Sequence, residues 1–255
     1  MIRFLKRSVK AMAARCGVVI FKRSTGLYLP EDEMPLLVQR LCGKTTPVIV
    51  NGGAHRGDFV LAIRRVLPGA SFICFEPTPD LVKDLRAMFV DDPRVAVVAA
   101  ALGEVAGTAK FHLNAWRATS FLLPSAGQTA GALGALVATE TLVEVEVTTI
   151  DAALAKLIRH EVDIIKLDLQ GYDFRALLGA AHALMHASMV VVGAWFAPIY
   201  KGAADYLRVW ALMSERGFAL FALTILHFGS THRLLWGDAV FLPPGSAAWV
   251  TPIAN

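Results

Sequence analysis

The sequence predicts a doubly wound α/β domain built on a mostly parallel sheet. Three observations point there. From residue 48 onward, short apolar runs alternate with amphipathic stretches in a regular β-α-β-α-β order. The runs VIV (48–50), SFICF (71–75) and SMVVVGAWF (188–196) are almost continuously apolar, as in strands covered on both faces, and VDIIKLD (162–168) reads as a fourth parallel strand. A glycine-rich turn follows the first run, and acids end the second and fourth. Those strand ends form the edge at which open α/β sheets bind ligands.

The elements follow in chain order. Ile2, Leu5, Val9, Met12 and Cys16 recur every three or four residues, so residues 2–16 read as a helix with one apolar stripe. Strand one, 48–50, runs into the glycine turn. Residues 58–67 are a helix stopped by Pro68-Gly69. Strand two, 71–75, ends at Glu76-Pro77, and an amphipathic helix covers 80–90. VAVVAAA (95–101) is the third strand. Residues 107–113 and 143–149 alternate polar and apolar and read as a hairpin or added strands. The Ala/Gly/Ser/Thr-rich stretch between them, 118–139, is either a loop over the site or a weak helix. After the fourth strand comes a helix over 173–187, then the fifth strand. A helix over 203–216 follows, with Gly217 as its C-terminal cap. FALFAL (218–223) and DAVFL (238–242) close the sheet as an antiparallel hairpin.

Residues 176–200 carry no formal charge, long enough to suggest a membrane-spanning helix. The run nevertheless holds His182, His186 and Pro198. It also changes from ALLGAAHALMHA to the β-branched MVVVGAWF, so a helix followed by a buried strand explains it better.

With 255 residues, 55% hydrophobic and 18% charged, the chain can bury a large core and is not intrinsically disordered. The net charge of +4 is unevenly placed. Residues 1–30 hold seven Lys/Arg and no acid, while the remainder holds 18 basic and 21 acidic groups. The basic excess therefore belongs to an N-terminal segment, 1–30, ahead of a domain over 31–255, and a nucleic-acid face is not indicated. Two placements of residues 2–23 stay open. They could lie on an anionic membrane, or pack on the chain's own domain or a partner subunit. Three scattered cysteines (Cys16, Cys42 and Cys74) without zinc spacing read as reduced thiols, and the chain is expected in the cytoplasm.

The first turn reads Asn51-Gly52-Gly53-Ala54-His55-Arg56-Gly57. Its glycines let a ligand approach the backbone and the N–H groups of the next helix. Glu76 ends strand two, 19 residues past Gly57, where an acid can accept both hydrogen bonds of a ribose diol. Asp168 ends strand four. The second and third glycines of G-x-G-x-x-G are not both present in the turn, which weakens a nicotinamide-dependent oxidoreductase, and no P-loop occurs. The spacing better suits S-adenosylmethionine.

The segments VIVNGGAHRG, FICFEPTPDL, AALGEVAGTAKF, VTTIDAAL, IIKLDLQGYDFRALLGA, FAPIYKG and GDAVFL stand in the order of the FkbM methyltransferases, which the chain resembles over roughly residues 47–242. The resemblance implies the seven-stranded, Rossmann-like class I methyltransferase fold. It implies S-adenosyl-L-methionine as cofactor and methyl transfer to oxygen, on a sugar, polyketide or lipid-linked glycan. The cofactor residues carried over are Asn51, Gly53, Ala54, His55, Gly57, Glu76, Pro77, Ala101, Leu102 and Asp168. Three positions depart from the family. Asn51 stands for its Asp, His55 for its Asn, and Gly193 for a Glu at the end of strand five. A catalytically decayed binding or regulatory protein on the same fold is therefore the alternative.

Asp168 is the first candidate for general base; a helix cap or cofactor contact is its competing role. Asp173 reads as an acid stabilised by the helix dipole. Lys166, polar in an apolar strand, is expected to reach a nearby carboxylate. Thr119 and Ser120 sit in the stretch that could close over the site. His182 and His186, four apart, lack the Glu and third ligand of a zinc site, so no metal is expected. His227 and His232 are candidate acceptor contacts. Trp195, Phe196 and Tyr200 are either core or an acceptor platform. Acceptor choice is assigned to residues 114–142 and 224–237.

Overall fold

The structure, a computed structural model, describes residues 34–114, 122–123, 139–157, 161–197, 199–229 and 232–250. The basic N-terminal segment, Thr119, Ser120 and Cys16 lie outside these residues.

Among the described residues, ten strands and seven α-helices follow in order. They are α1 (Met34–Cys42), β1 (Val48–Gly52), α2 (Asp58–Val66), β2 (Ser71–Phe75), α3 (Pro79–Met88), β3 (Val95–Val98), β4 (Ala101–Leu102), β5 (Gly107–Asn114) and β6 (Thr139–Thr148). Then come α4 (Ile150–Lys156), β7 (Ile164–Leu167), α5 (Asp173–Leu178), α6 (Ala181–His186), β8 (Met189–Trp195), α7 (Tyr206–Glu215), β9 (Ala219–Phe228) and β10 (Leu234–Leu242). A seven-stranded sheet has the order β3-β2-β1-β7-β8-β10-β9. β1 pairs in parallel with β2 and β7, as do β2 with β3 and β7 with β8. β10 pairs antiparallel with β8 and β9. This is the predicted doubly wound sheet closed by a C-terminal hairpin.

The apolar strand runs divide between two cores because successive side chains leave opposite faces of a strand. Ile49, Ile164 and Val191 pack with Val38, Val60 and Ile63 of α1 and α2. Their neighbours Val50, Ile165 and Val190 pack with Leu154, Leu177, Leu184 and Met213 of α4 to α7. Cys42 and Cys74 are buried and free. Residues 176–200 form helix and then strand, and no helix among the described residues is long and apolar enough to cross a membrane.

Four expectations change. The third strand stops at Val98, and Ala101 and Leu102 pair instead with β6 in a separate sheet of order β4-β6-β5. β5 and β6 are the antiparallel pair that the alternation suggested, extended to 107–114 and 139–148. The expected helix over 173–187 is two helices. A β-carbon on Gly179 would strike the Gly103 carbonyl, and Asp151 accepts the N–H groups of His182 and Ala183 at 2.8 and 2.9 Å, starting α6 afresh. The closing strands run to Phe228 and from Leu234, longer than their apolar cores, because β-bulges carry the pairing onward.

Candidate active site

Three strand ends are joined by backbone bonds. The N–H groups of Gly53 and Ala54 both donate to the Phe75 carbonyl at 3.0 Å, tying the first turn to the end of β2. The Asp168 N–H donates to the Gly52 carbonyl at 3.0 Å, tying it to the end of β7. Gly53 adopts φ 74°, and a β-carbon there would collide with the Asp168 carbonyl. Its glycine is thus required by the neighbouring strand end as well as by its own torsion. Gly57, at φ 82°, begins α2, and a β-carbon would press on Leu85 and Phe89.

Glu76 is buried at 5% exposure and clamps both turns. One carboxylate oxygen accepts the His55 N–H at 2.9 Å, and the other accepts the Thr78 N–H at 2.9 Å. Each oxygen keeps a further lone pair for a ligand hydroxyl.

Asp168 is half-exposed, at 53% for its side chain. Its Oδ1 accepts from Gln170 Nε2 at 2.8 Å, and its Oδ2 lies 3.7 Å from Lys166 Nζ. Gln170, at φ 52°, in turn accepts the Tyr200 hydroxyl at 2.7 Å. Burial pushes the Tyr200 phenol up, so it stays a donor. Lys166 therefore reaches the expected carboxylate, with its ammonium also 5.4 Å from the Phe59 ring centre.

Asp173 stands in the first turn of α5, as expected, and has a further role. The residue is 2% exposed and its two oxygens accept the N–H groups of Leu169 and Gly171 at 3.0 and 3.1 Å. It holds the 168–172 turn in shape. Burial, ahead of the nearby Asp168 charge, raises its pKa to about 6.

These groups surround a cleft of about 280 Å³. Gly53, Ala54, His55, Glu76, Pro77, Ala101, Leu102 and Asp168 all line it. Asn51 and Gly57 do not. Asn51 is fully buried in register between Cys74 and Lys166, and its amide finds no oxygen or nitrogen partner. The Cys74 thiol beside it is pushed up to about 12 by burial. Phe59, Phe111, Leu122 and Gln170 also line the cleft. Phe111 was not legible in the sequence, because the small sheet brings it there only through tertiary contact, whereas Leu122 belongs to the 118–139 stretch read as a loop over the site or a weak helix. The cleft fits an adenosine with a charged tail. It offers apolar walls at Phe75 and Leu102, an acid at the end of β2, and His55 Nε2, buried with no partner.

Of the remaining candidates, Tyr200 reaches the site through Gln170, and the others separate from it. His227 stacks on Trp236, with ring centres 4.5 Å apart, and Trp236 stacks on Trp195 at 6.0 Å. Tyr200 meets Trp195 edge-on, and Phe196 stacks on Tyr206. The aromatic group is thus packed against itself. His232 lies in the hairpin turn, donating its N–H to Gly229. His182 and His186 have rings 5.0 Å apart, and the described residues contain no cluster of three metal-ligating side chains. A β-carbon at Gly193 would stand 3.2 Å from Trp195 Nε1 and 3.5 Å from an Asp173 oxygen, so Trp195 crowds the place where the family carries Glu and Asp173 stands in ordinary contact with it.

Residues 51–220 match the Methyltransferase FkbM domain family. The structure of methyltransferase FkbM from Methylobacillus flagellatus KT is similar with a TM-score of 0.53 and 17% identity, over 84% of this chain and 48% of that one. The chain thus spans about half the length of that protein. Magnesium protoporphyrin IX methyltransferase from Synechocystis PCC 6803, with bound SAM, is similar with a TM-score of 0.46 and 8% identity, over 83% of this chain and 79% of that one. No curated protein matches the chain.

Proposed function

We propose that this chain, which belongs to the FkbM family of methyltransferases and takes S-adenosylmethionine as its cofactor, methylates a hydroxyl oxygen. The observation that carries this reading is the placement of Asp168. Its half-exposed carboxylate stands on the rim of the cofactor cleft, held by Gln170 and Lys166. Glu76 would accept the ribose hydroxyls, the Gly53–His55 turn would face the amino-acid tail, and Pro77, Ala101 and Leu102 would enclose the adenine. The bound cofactor supplies an electrophilic methyl group and leaves as a neutral thioether. Asp168 orients the acceptor hydroxyl and takes its proton on a carboxylate oxygen as the O–C bond forms. The acceptor class is a sugar, polyketide or lipid-linked glycan.

Two measurements test the reading. Titration calorimetry with S-adenosylmethionine and with NAD should show binding of the first alone. A methyl-transfer assay over glycans and natural products should yield O–CH₃ products. Gly193, which carries no side chain where the family has Glu, favours a second reading, a binding protein without turnover. Cofactor binding with no product across the panel would support it.

A further inference from the structure

We infer that the acceptor is a hydroxy acid with an apolar middle, bound along one face of α2 in a second cleft. This rests on the methyltransferase reading of the first cleft and sets a chain acid ahead of a glycan. The second cleft, of about 550 Å³, shares Asp58, Phe59, Lys166 and Asp168 with the cofactor cleft. The volume falls within the roughly 300–1,000 Å³ of small-molecule sites. The two clefts meet at Asp168, where methyl transfer requires donor carbon and acceptor oxygen to come together. Asp58, Phe59, Ala62, Arg65 and Val66 all line the second cleft, and their spacing puts them on one face of α2. The cleft therefore follows α2 from Asp58, which it shares with the cofactor cleft, to Arg65, which it does not. That is two helical turns, a rise of about 10 Å.

The two ends of this cleft differ in charge. At the cofactor end Asp168 is paired with Lys166 at 3.7 Å, and Asp58 is exposed, with no ion pair among the described residues. At the far end Arg65 is exposed and likewise has no ion pair among the described residues. Its guanidinium is thus open to an anion. Ala62 stands between Asp58 and Arg65 on α2. Apart from Asp238, which has a partner of its own, the rest of the lining is apolar, from Met34 and Leu36 of α1 to Val191 and Ile225 of the sheet. A matching ligand donates a hydroxyl to Asp168, lays an apolar span along Ala62 and Val66, and sets a carboxylate on Arg65. A polyol would leave hydroxyls unpaired against the apolar stretch, and a cationic chain end would meet Arg65. In the reaction the C–S bond breaks with its electron pair passing to sulfur. The hydroxyl oxygen forms the new C–O bond, and its proton passes to Asp168.

The test is calorimetry on the full chain loaded with S-adenosylhomocysteine, beside a methyl-transfer assay with S-adenosylmethionine. The probes are octanoate and butanoate hydroxylated at the far carbon, the corresponding hydroxyoctanamide, a hydroxyoctyl trimethylammonium ion and methyl glucoside. Hydroxyoctanoate should bind at least tenfold more tightly than each of the others, hydroxybutanoate being too short to reach both ends, and should be converted to its methyl ether. Arg65→Glu, an exposed change outside the cofactor cleft, should weaken hydroxyoctanoate tenfold or more and tighten the ammonium probe. Ala62→Trp, which fills only the second cleft, should weaken hydroxyoctanoate tenfold or more. Both variants should leave S-adenosylhomocysteine affinity unchanged. Four outcomes would overturn the inference while cofactor binding stands: acid and amide bound equally, methyl glucoside preferred, a charge preference unmoved by Arg65→Glu, or hydroxyoctanoate bound without its methyl ether forming. Loss of cofactor binding by the parent chain would instead overturn the reading of the first cleft.

Discussion

The backbone carbonyl of Asp168 fills the space that a β-carbon on Gly53 would need. The first turn and the end of β7 therefore approach as backbone against backbone, and the cofactor cleft owes its floor to that contact.

Gly53→Ala should damage the site through this contact. The left-handed torsion alone costs a residue with a β-carbon about 1–2 kcal/mol, and the collision adds to it because a carbonyl in a strand end cannot rotate away. Cofactor affinity should fall at least tenfold, with helix content by circular dichroism nearly unchanged. Parent-like affinity by calorimetry would contradict the placement of the turn.

Glu76→Ala removes the shared acceptor of the His55 and Thr78 N–H groups. A buried unpaired donor costs about 1–3 kcal/mol, so this variant should lose melting temperature as well as cofactor affinity. Glu76→Gln keeps one carbonyl acceptor and should lie between parent and Ala in both measurements. An Ala variant that melts with the parent would show that the clamp is not energetically coupled to the fold.

Asp168→Asn preserves shape and removes the proposed proton acceptor. The rate of methyl transfer should fall by about 10²-fold or more, with cofactor affinity nearly intact. Tyr200→Phe breaks only the far link of the chain that orients Asp168. It removes one neutral hydrogen bond worth about 1 kcal/mol, so it should slow transfer by less than about tenfold. Single-turnover rates beside calorimetric affinities separate these effects. A variant at Asp168 that loses binding but keeps its rate would make the residue a cofactor ligand instead.

Asp173 gives the fold a pH dependence of definite sign. Its folded pKa of about 6 lies above the ordinary 3.8, so between those values the folded state binds more protons than the unfolded. Stability from this group is therefore largest below pH 4 and falls as pH rises to about 6. Two units correspond to about 3 kcal/mol. Melting curves from pH 4 to 7 for the parent and Asp173→Asn should differ by this slope, the variant lacking it. Parallel curves would mean that the carboxyl is not desolvated.

The sequence by itself determined the sheet and the identity of its ligand-binding edge. Alternating apolar runs place strands and helices because burial on two faces leaves a one-dimensional trace, and Gly53, Glu76 and Asp168 are legible because turns and strand ends follow from chain order. Tertiary structure alone decided what those residues do for one another. No local pattern shows that Glu76 holds the His55 and Thr78 backbone, that Asp173 is buried beneath the 168–172 turn, or that Gln170 links Tyr200 to Asp168. The same holds for Asn51, which one position along β1 turned into the core beside Cys74 and away from the cleft. The partners His55 and Glu76, 21 residues apart, and Gln170 and Tyr200, 30 apart, are chosen by how the strands are stacked, and periodicity, which reports only which face a residue takes, carries no record of them.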